Sequence, residues 1–355
     1  MRESPPHEFQ PMFTALWLLV AVAVGSVLVM GRDVLVPLAV AILVWAFVNA
    51  VATQFVRMSR WALRNRAALP PGVALIVAVL VVVWAILMVV QVIADNVAQI
   101  AAAAPGYRDR LQEVLPEIGI WLGVDVPDLL GDLIDQVQLS EIVTQLAGAL
   151  TALAGNTMLV LLYTGFLLLE QQAIQRKLEV LHDDPARAER TRIAIGRAVD
   201  RIETYIRVKT FISAVTAVLS YGVMWAFEIN YATFWALVIF MLNYIPNIGS
   251  ILAVMFPTLL TLVQFGDPVI TLTLGGILAS LQFTIGNIVE PRLMGSSLNL
   301  SPFVIILSLA IWGSIWGIAG MFLCVPLTMI LLILLSQFPQ SRPIAVLLSG
   351  NGRLD

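Results

Sequence analysis

The sequence predicts an all-α polytopic membrane protein with about eight transmembrane helices, those of its C-terminal half being discontinuous or re-entrant. Of its 355 residues 59% are hydrophobic and 12% are charged, and the mean hydropathy is +0.92. In a soluble domain about a quarter of the residues are charged. Several apolar runs approach the ~20 residues that a helix needs to cross the hydrocarbon core, and none alternates like a lipid-facing β-strand.

Residues 1–69 are predicted to form a transmembrane hairpin and a basic cytoplasmic loop. Its spans cover about residues 12–30 and 34–53, joined by a turn at Gly31-Arg32-Asp33. No small-residue cleavage pattern follows the first span, so we expect a retained anchor instead of a cleaved signal peptide. By the positive-inside rule the N-terminus is cytoplasmic, because the following loop has no acid and four arginines: Arg57, Arg60, Arg64 and Arg66.

Residues 70–170 are predicted to hold a third span, ending near residue 95, an outer segment over 95–150 and a fourth span over 151–169. The outer segment has nine acids against Arg108 and Arg110, which fits an external location. Its leucines recur at helical spacing, which predicts amphipathic helices lying on the membrane surface or against a neighbouring subunit. The alternative is a solvated loop. The stripes are Leu111, Leu115, Ile118 and Leu122, then Leu129, Leu130, Leu133, Ile134 and Val137.

Residues 171–209 are predicted to form a basic amphipathic helix at the cytoplasmic surface. Nine basic residues outnumber six acids there, and an apolar stripe accompanies them: Ile195, Val199, Ile202 and Ile206. Such a helix suits anionic lipid headgroups, and nucleic acid is not an expected partner. The next span covers about residues 208–227, and residues 341–355 form a short cytoplasmic tail.

In the C-terminal core, residues 210–340, the apolar segments are interrupted by two clusters of turn-forming and polar residues, over 243–250 and 286–295. The apolar segments 231–242 and 251–265 are each too short to cross alone, so they form either one kinked helix or a re-entrant hairpin. Segment 303–335 is also interrupted, at 312–317 and at Gly320. Irregular backbone at membrane depth survives only where protein buries it or where it lines a wet cavity, and broken helices are typical of transporter binding sites.

The candidate substrate and ion pathway therefore lies at these breaks. Their amides suit an uncharged polar solute, but amides also cap half-helices and join helices, and both interpretations stay open. Tyr244 is expected to anchor at the membrane interface or to stack on substrate. The candidate residues are Asn243, Tyr244, Pro246, Asn247, Gly249, Gln282, Asn287, Glu290, Pro291, Arg292 and Gly295.

Glu290 is the candidate carrier of coupling ions. An isolated carboxylate at bilayer depth is pushed toward its neutral form, so it can exchange protons near neutral pH. The alternative is a fixed ion pair with Arg292, two residues later. Asp267 is expected to cap the following helix, with Pro268 at its first position.

Three motifs carry a family resemblance. Tyr-Ile-Pro-x-Ile-Gly-Ser occurs at 244–250, Asn-x-x-x-Pro-x-x-Met-Gly at 287–295 and Gly-x-x-Gly-x-x-x-x-x-Pro at 317–326. With paired N-terminal spans, a third span and a helical outer segment, the chain resembles the autoinducer-2 exporter family over essentially its whole length. The resemblance implies an inner-membrane bacterial protein that moves small solutes, described in some branches as an autoinducer-2 exporter and in others as a cation–proton antiporter.

Other functional classes lack the residues they require. Lys177 and Lys209 follow Arg176 and Val208, so no Gly-Lys pair of a nucleotide-binding P-loop exists. His7 and His182 fall in polar segments, so an intramembrane zinc or Ser–His enzyme has no ligand or base, and no cofactor or metal is expected. The lone Cys324 lies in an apolar run and is expected to be inert packing.

The sequence thus predicts a secondary transporter or facilitator that exports a small polar solute, with an autoinducer-2-like molecule as the first candidate. A Na⁺/proton antiporter is the alternative, and a non-transporting membrane scaffold is a third. The expected partners are the solute, protons or Na⁺ as coupling ions, the lipid bilayer, and further copies of the chain in a homo-oligomer.

Overall fold

The structure, a computed structural model, describes residues 10–62, 69–122, 148, 155–180, 185–295, 299–338 and 340–352. Its ordered elements are helices, and one of them contains a π-helical turn, Ile285–Val289. The helices are α1 (Gln10–Met30), α2 (Arg32–Ala62), α3 (Pro71–Leu122), α4 (Thr157–Val180), α5 (Pro185–Ala226), α6 (Ala232–Leu242), α7 (Ile248–Phe265), α8 (Pro268–Thr284), α9 (Glu290–Met294), α10 (Pro302–Gln337) and α11 (Arg342–Leu348).

The prediction of an all-α polytopic membrane protein is confirmed. Within the described ranges, six helices are long and apolar enough to cross a bilayer, and two shorter apolar helices, Thr157–Gln171 and Ala232–Leu242, accompany them. The six are Arg32–Trp61, Pro71–Asn96, Ile195–Ala226, Ile248–Phe265, Pro268–Met294 and Pro302–Gln337.

Two helices extend well beyond the predicted ends of their spans. Helix α3 continues without a break for 52 residues to Leu122, so the first part of the expected outer segment prolongs the third span. Arg110 there donates a hydrogen bond to the Gln264 carbonyl, 3.1 Å away, near the end of α7. Helix α5 unites the basic helix and the fifth span in 42 residues. The expected amphipathic helix over 128–137 lies outside the described residues.

Helices α6 and α7 form a re-entrant hairpin and not one kinked helix, the two possibilities that hydropathy left open. The Gln264 amide, at the end of α7, donates to the Glu228 carbonyl at 2.8 Å and accepts from the Asn230 backbone N–H at 2.9 Å. The end of α7 therefore lies beside the start of α6, and residues 243–247 form the tip between them. We call this unit hairpin 1.

The tip of hairpin 1 lies deep in the membrane. Asn243 bonds Ser213 at 3.0 Å and Tyr244 bonds Thr210 at 2.6 Å. At a rise of 1.5 Å per residue, these α5 positions lie about 20–24 Å from Ala226, where α5 ends. Hairpin 1 thus enters from the membrane face at which α5 ends and crosses most of a core about 30 Å thick.

Gly249 permits the tight turn of hairpin 1. A Cβ on this residue would overlap the Leu242 carbonyl oxygen, because the first turn of α7 packs directly against the last turn of α6. Beside it, Asn247 adopts a positive φ of 59°. Part of the tip backbone is bonded locally: the N–H groups of Ile245 and Gly249 bond the carbonyls of Leu242 and Ile245 at 2.8 and 3.1 Å.

Helix α10 folds back on itself at Gly317, where φ is 61° and ψ is −139°. Trp312 Nε1 donates to Thr328 Oγ1 at 3.2 Å, although the two residues are 16 positions apart. In a straight helix they would be separated by about 24 Å. A Cβ on Gly320 would overlap the Trp312 carbonyl, so the two arms are in close contact. We call residues 302–337 hairpin 2.

The two hairpins enter from opposite faces of the membrane. Helix α8 starts directly after hairpin 1, and the continuous segment Pro268–Met294 is long enough to cross to the other face before hairpin 2 begins. The hairpins meet where the Tyr244 ring stacks on Phe322, with centroids 4.6 Å apart. Beside its turn at Gly317, hairpin 2 contacts α1, since Trp316 Nε1 donates to the Leu28 carbonyl at 2.9 Å.

The C-terminal segment is tied to the start of hairpin 2. The Ser301 N–H donates to the Leu348 carbonyl at 3.2 Å, and the Gly350 N–H donates to the Asn299 carbonyl at 3.1 Å. Helix α11 thereby holds the connection that leads into α10.

Replacing Gly249 with alanine is expected to destabilise hairpin 1, because the added Cβ meets a backbone carbonyl that cannot move away. We expect the Tm of the purified protein in detergent to fall by about 5 °C or more. Gly222→Ala in α5 is the matched control, since a Cβ there has nothing within 4 Å. Equal Tm values for the two variants would contradict the tight crossing at the tip.

Candidate functional site

A cavity of about 1160 Å³ opens where the hairpin 1 tip, α5, α7, α8 and the start of α10 come together. Its lining follows the continuous helical segment Pro268–Met294 from Leu272 to Glu290, a length of about 27 Å at helical rise. The part nearest the start of α8 is walled by apolar and small residues, including Met255, Leu259 and Gly276. Its polar lining is concentrated toward the other end: Tyr205, Lys209, Asn243, Tyr244, Asn247, Ser250, Gln282, Asn287 and Glu290.

A buried hydrogen-bond network joins three elements beneath the cavity. The Asn243 amide donates to Ser213 of α5 at 3.0 Å and accepts from Gln282 of α8 at 3.2 Å. Gln282 also donates to Ser250 of α7 at 2.9 Å. Ser213, Asn243 and Gln282 are buried. The two amides therefore join helices, which was one of the two interpretations, while still presenting part of their surface to the cavity.

The second cluster of turn-forming and polar residues, over 286–295, forms a π-helical turn in a continuous helix. Residues 285–289 make the wider turn, α9 continues it, and the helix ends at Gly295 with φ 52°. Such turns occur mostly as local bulges and frequently at functional sites. Asn287 in this turn is exposed and lines the cavity, and its amide donates to the Phe283 carbonyl of its own helix at 3.1 Å.

Glu290 pairs with Lys209, not with Arg292. Lys209 Nζ lies 2.5 Å from Glu290 Oε1, and the two side chains are only 8% and 21% exposed. Arg292 is exposed and lies outside the cavity lining, because it faces another side of the helix end. Sequence analysis missed this role of Lys209: it ended a basic segment and was grouped with the cytoplasmic charges, although an isolated lysine entering an apolar span was a usable signal.

The remaining candidates divide into cavity-lining and structural residues. Pro246 and Asn247 line the cavity at the hairpin 1 tip, whereas Gly249 is buried in the crossing. Pro291 occupies the first turn of α9, and Gly295 ends that helix; neither lines the cavity. The expected cap is confirmed, since Asp267 accepts from the Val269 and Ile270 N–H groups at 2.7 and 3.3 Å.

Tyr244 is packed inside the protein. Its side chain is buried, its hydroxyl bonds Thr210, and its ring stacks on Phe322. The ring nevertheless reaches the cavity wall. Three further cavity and network residues were not among the sequence-predicted candidates: Tyr205, Ser213 and Ser250. Tyr205 and Ser213 of α5 carry no motif of their own, whereas Ser250 of α7 ends the Tyr-Ile-Pro-x-Ile-Gly-Ser motif.

Comparison with known proteins finds a match between residues 13–340 and the AI-2E family transporter model. The chain is 32% identical to the AI-2 transport protein TqsA of Escherichia coli (strain K12), over 96% of this chain and 98% of that protein. It is 28% identical to the putative transport protein YhhT of the same strain, over 97% of each chain. A putative transport protein of Haemophilus influenzae is 34% identical over 56% of this chain and 57% of its own length.

Gln282→Leu is expected to lower stability, because it removes the amide that bonds both Asn243 and Ser250 and leaves their oxygens unpaired. A loss of about 1–2 kcal/mol is expected, seen as a Tm several degrees lower in detergent. Asn287→Ala removes only a bond within one helix and is expected to leave the Tm nearly unchanged. If both variants are equally stable, the network does not join the helices as the geometry indicates.

Proposed function

The chain belongs to the AI-2E family of transporters, and we propose a function for it from that starting point. The family match covers nearly all of its membrane helices, and its relatives carry the names of transport proteins. The chain is thus a multi-pass membrane protein of a transporter family. What it moves, and with what energy source, is the subject of the proposal.

The cavity between the two hairpins is proposed to be the site of a small, uncharged polar solute that the protein exports across the bacterial inner membrane. The observation that carries this proposal is the position of the cavity, at the tip of a hairpin that enters from one face and beside a hairpin that enters from the other. Discontinuous helices place polar groups within the membrane, where they can contact a solute that has left water.

The chemistry of the cavity supports an uncharged solute. Amides and hydroxyls supply its neutral donors and acceptors, and the charges of Lys209 and Glu290 cancel each other within the lining. Because one relative is named an AI-2 transport protein, autoinducer-2 is the first solute to test. The sequence has no Gly-Lys pair of a nucleotide-binding P-loop, which supports a secondary or facilitated mechanism, in which the solute or an ion gradient supplies the free energy.

Na⁺/proton antiport is the second candidate, because Glu290 is a carboxylate within the cavity lining. In an antiporter this carboxylate must alternate between a proton and a cation, so its neutralisation abolishes coupled flux. In a facilitator the solute still passes when the carboxylate is neutral. The two candidates are therefore separable with one substitution.

Proteoliposomes preloaded with autoinducer-2 are expected to release it faster when they contain the protein. Asn287→Ala is expected to slow release about tenfold, the effect of losing roughly 1.4 kcal/mol of polar contact in the cavity. Asn49→Ala is the matched control, because Asn49 makes the same type of bond to its own helix, to the Trp45 carbonyl at 3.0 Å, but lies outside the cavity.

The same vesicles test coupling when a pH gradient is imposed. A proton-coupled exporter is expected to lose its response to the gradient in Glu290→Gln, whereas a facilitator is not. Release no faster than from protein-free liposomes would overturn autoinducer-2 as the solute, and Na⁺-driven proton movement would then be measured.

The proposed orientation places the N-terminus and the α2–α3 loop in the cytoplasm and the start of hairpin 1 outside. In a Cys324→Ser background, which removes the only cysteine of the chain, we expect Asn230→Cys to react with an impermeant maleimide in intact spheroplasts. Met58→Cys, exposed at the end of α2, is expected to react only after lysis. The reverse pattern would invert the proposed topology.

A further inference from the structure

We infer that Lys209 is a specificity-determining residue, a tethered cation that occupies the place beside Glu290 that a free monovalent cation would otherwise take. This inference rests on the proposed function, since it concerns the same cavity. On this inference, the cavity accepts an uncharged solute because one residue of α5, Lys209, already neutralises Glu290.

The geometry supports this role because both charges belong to the cavity wall. The ammonium and the carboxylate are in direct contact at 2.5 Å, and both residues line the cavity. They lie 81 positions apart in the chain, on α5 and at the start of α9. Among the lining residues they are the charged side chains, so the wall has no net charge while the pair is intact.

A carboxylate at this depth requires a partner. Burial without one costs several kcal/mol, so Glu290 is stabilised by an ammonium, by a free cation or by its own protonation. Lys209 has the advantage over a free cation because it is already held in place, whereas a free ion gives up translational freedom and much of its hydration on entry.

Removing one partner therefore changes the class of ligand that the cavity accepts. Without the Lys209 ammonium the wall carries a net negative charge, which favours a small cation beside Glu290. With both side chains neutral the wall is again uncharged. Within the described part of the chain, the titratable side chains that face this region are Tyr205 from the preceding turn of α5, Tyr244 from the hairpin 1 tip and Cys324 from hairpin 2.

The test is cation-dependent thermal stability of the purified full-length protein, measured at one fixed pH of about 8.5. Sodium chloride is compared with choline chloride at equal ionic strength. Lys209→Met is expected to show a Tm roughly 2–4 °C higher in sodium. The wild type, Lys209→Arg and the double variant Lys209→Met/Glu290→Gln are expected to show no difference between the two salts.

Each other outcome overturns the inference. A sodium-dependent Tm in the wild type shows that Lys209 does not exclude cations, and one in the double variant places the cation away from Glu290. Absence of any sodium effect in Lys209→Met shows that Glu290 is satisfied without a cation. If Lys209→Met does not fold, Lys209→Gln makes the same change in charge and keeps a donor for Glu290.

Failure of this inference is distinguishable from failure of the proposed function. Autoinducer-2 release by the wild type without a gain of sodium binding in Lys209→Met would overturn the inference alone. If Lys209→Met gains sodium binding but the wild type releases no autoinducer-2, the inference about Lys209 is retained and autoinducer-2 is rejected as the solute. Uptake of ²²Na⁺ into proteoliposomes by Lys209→Met, and not by the double variant, is the expected transport counterpart.

Discussion

The structure depends on the requirement that every backbone polar group inside the membrane finds a partner. Two helices nevertheless break in the C-terminal half, at residues 243–247 and at Gly317. The first break is tolerated because the N–H groups of Tyr244 and Ile245 bond nearby carbonyls and because its side chains bond α5 and α8. The second is tolerated because its two arms pack on each other, with Gly320 against the Trp312 carbonyl.

The same polar side chains that stabilise the breaks form the cavity. Asn243 and Gln282 hold α5, α7 and α8 together and also line the wall, so a solute there meets groups whose positions are fixed by protein bonds. Fixed groups lose little conformational entropy on binding. Asn287 differs, because the π-helical turn presents it to the cavity while its bond stays within its own helix. Within one cavity, Asn243 and Gln282 therefore combine a structural role with a place in the wall, whereas Asn287 lines the wall without joining two helices.

The Lys209–Glu290 pair adds a constraint of charge to this constraint of hydrogen bonding. A buried pair is weak support for stability, since the desolvation cost offsets much of the attraction, but the loss of one member leaves an unpaired charge at membrane depth. The pair also connects α5 to the end of the segment that follows hairpin 1. Movement of that segment against α5 would have to separate the two charges, so the pair stabilises the arrangement in which the cavity is seen.

By itself the sequence determined the all-α membrane class, most spans, the Asp267 cap and the family, because these follow from local apolar runs, turn residues and contiguous motifs. It also located the break that leads to the hairpin 1 tip. Only the tertiary structure decided that α6–α7 and α10 fold back as hairpins, that Tyr244 is buried and that Lys209 is the partner of Glu290. Hydropathy measures how much of a segment is apolar but not its direction. A lone lysine at the start of an apolar span indicates that a partner is needed, but it does not identify a partner 81 positions away.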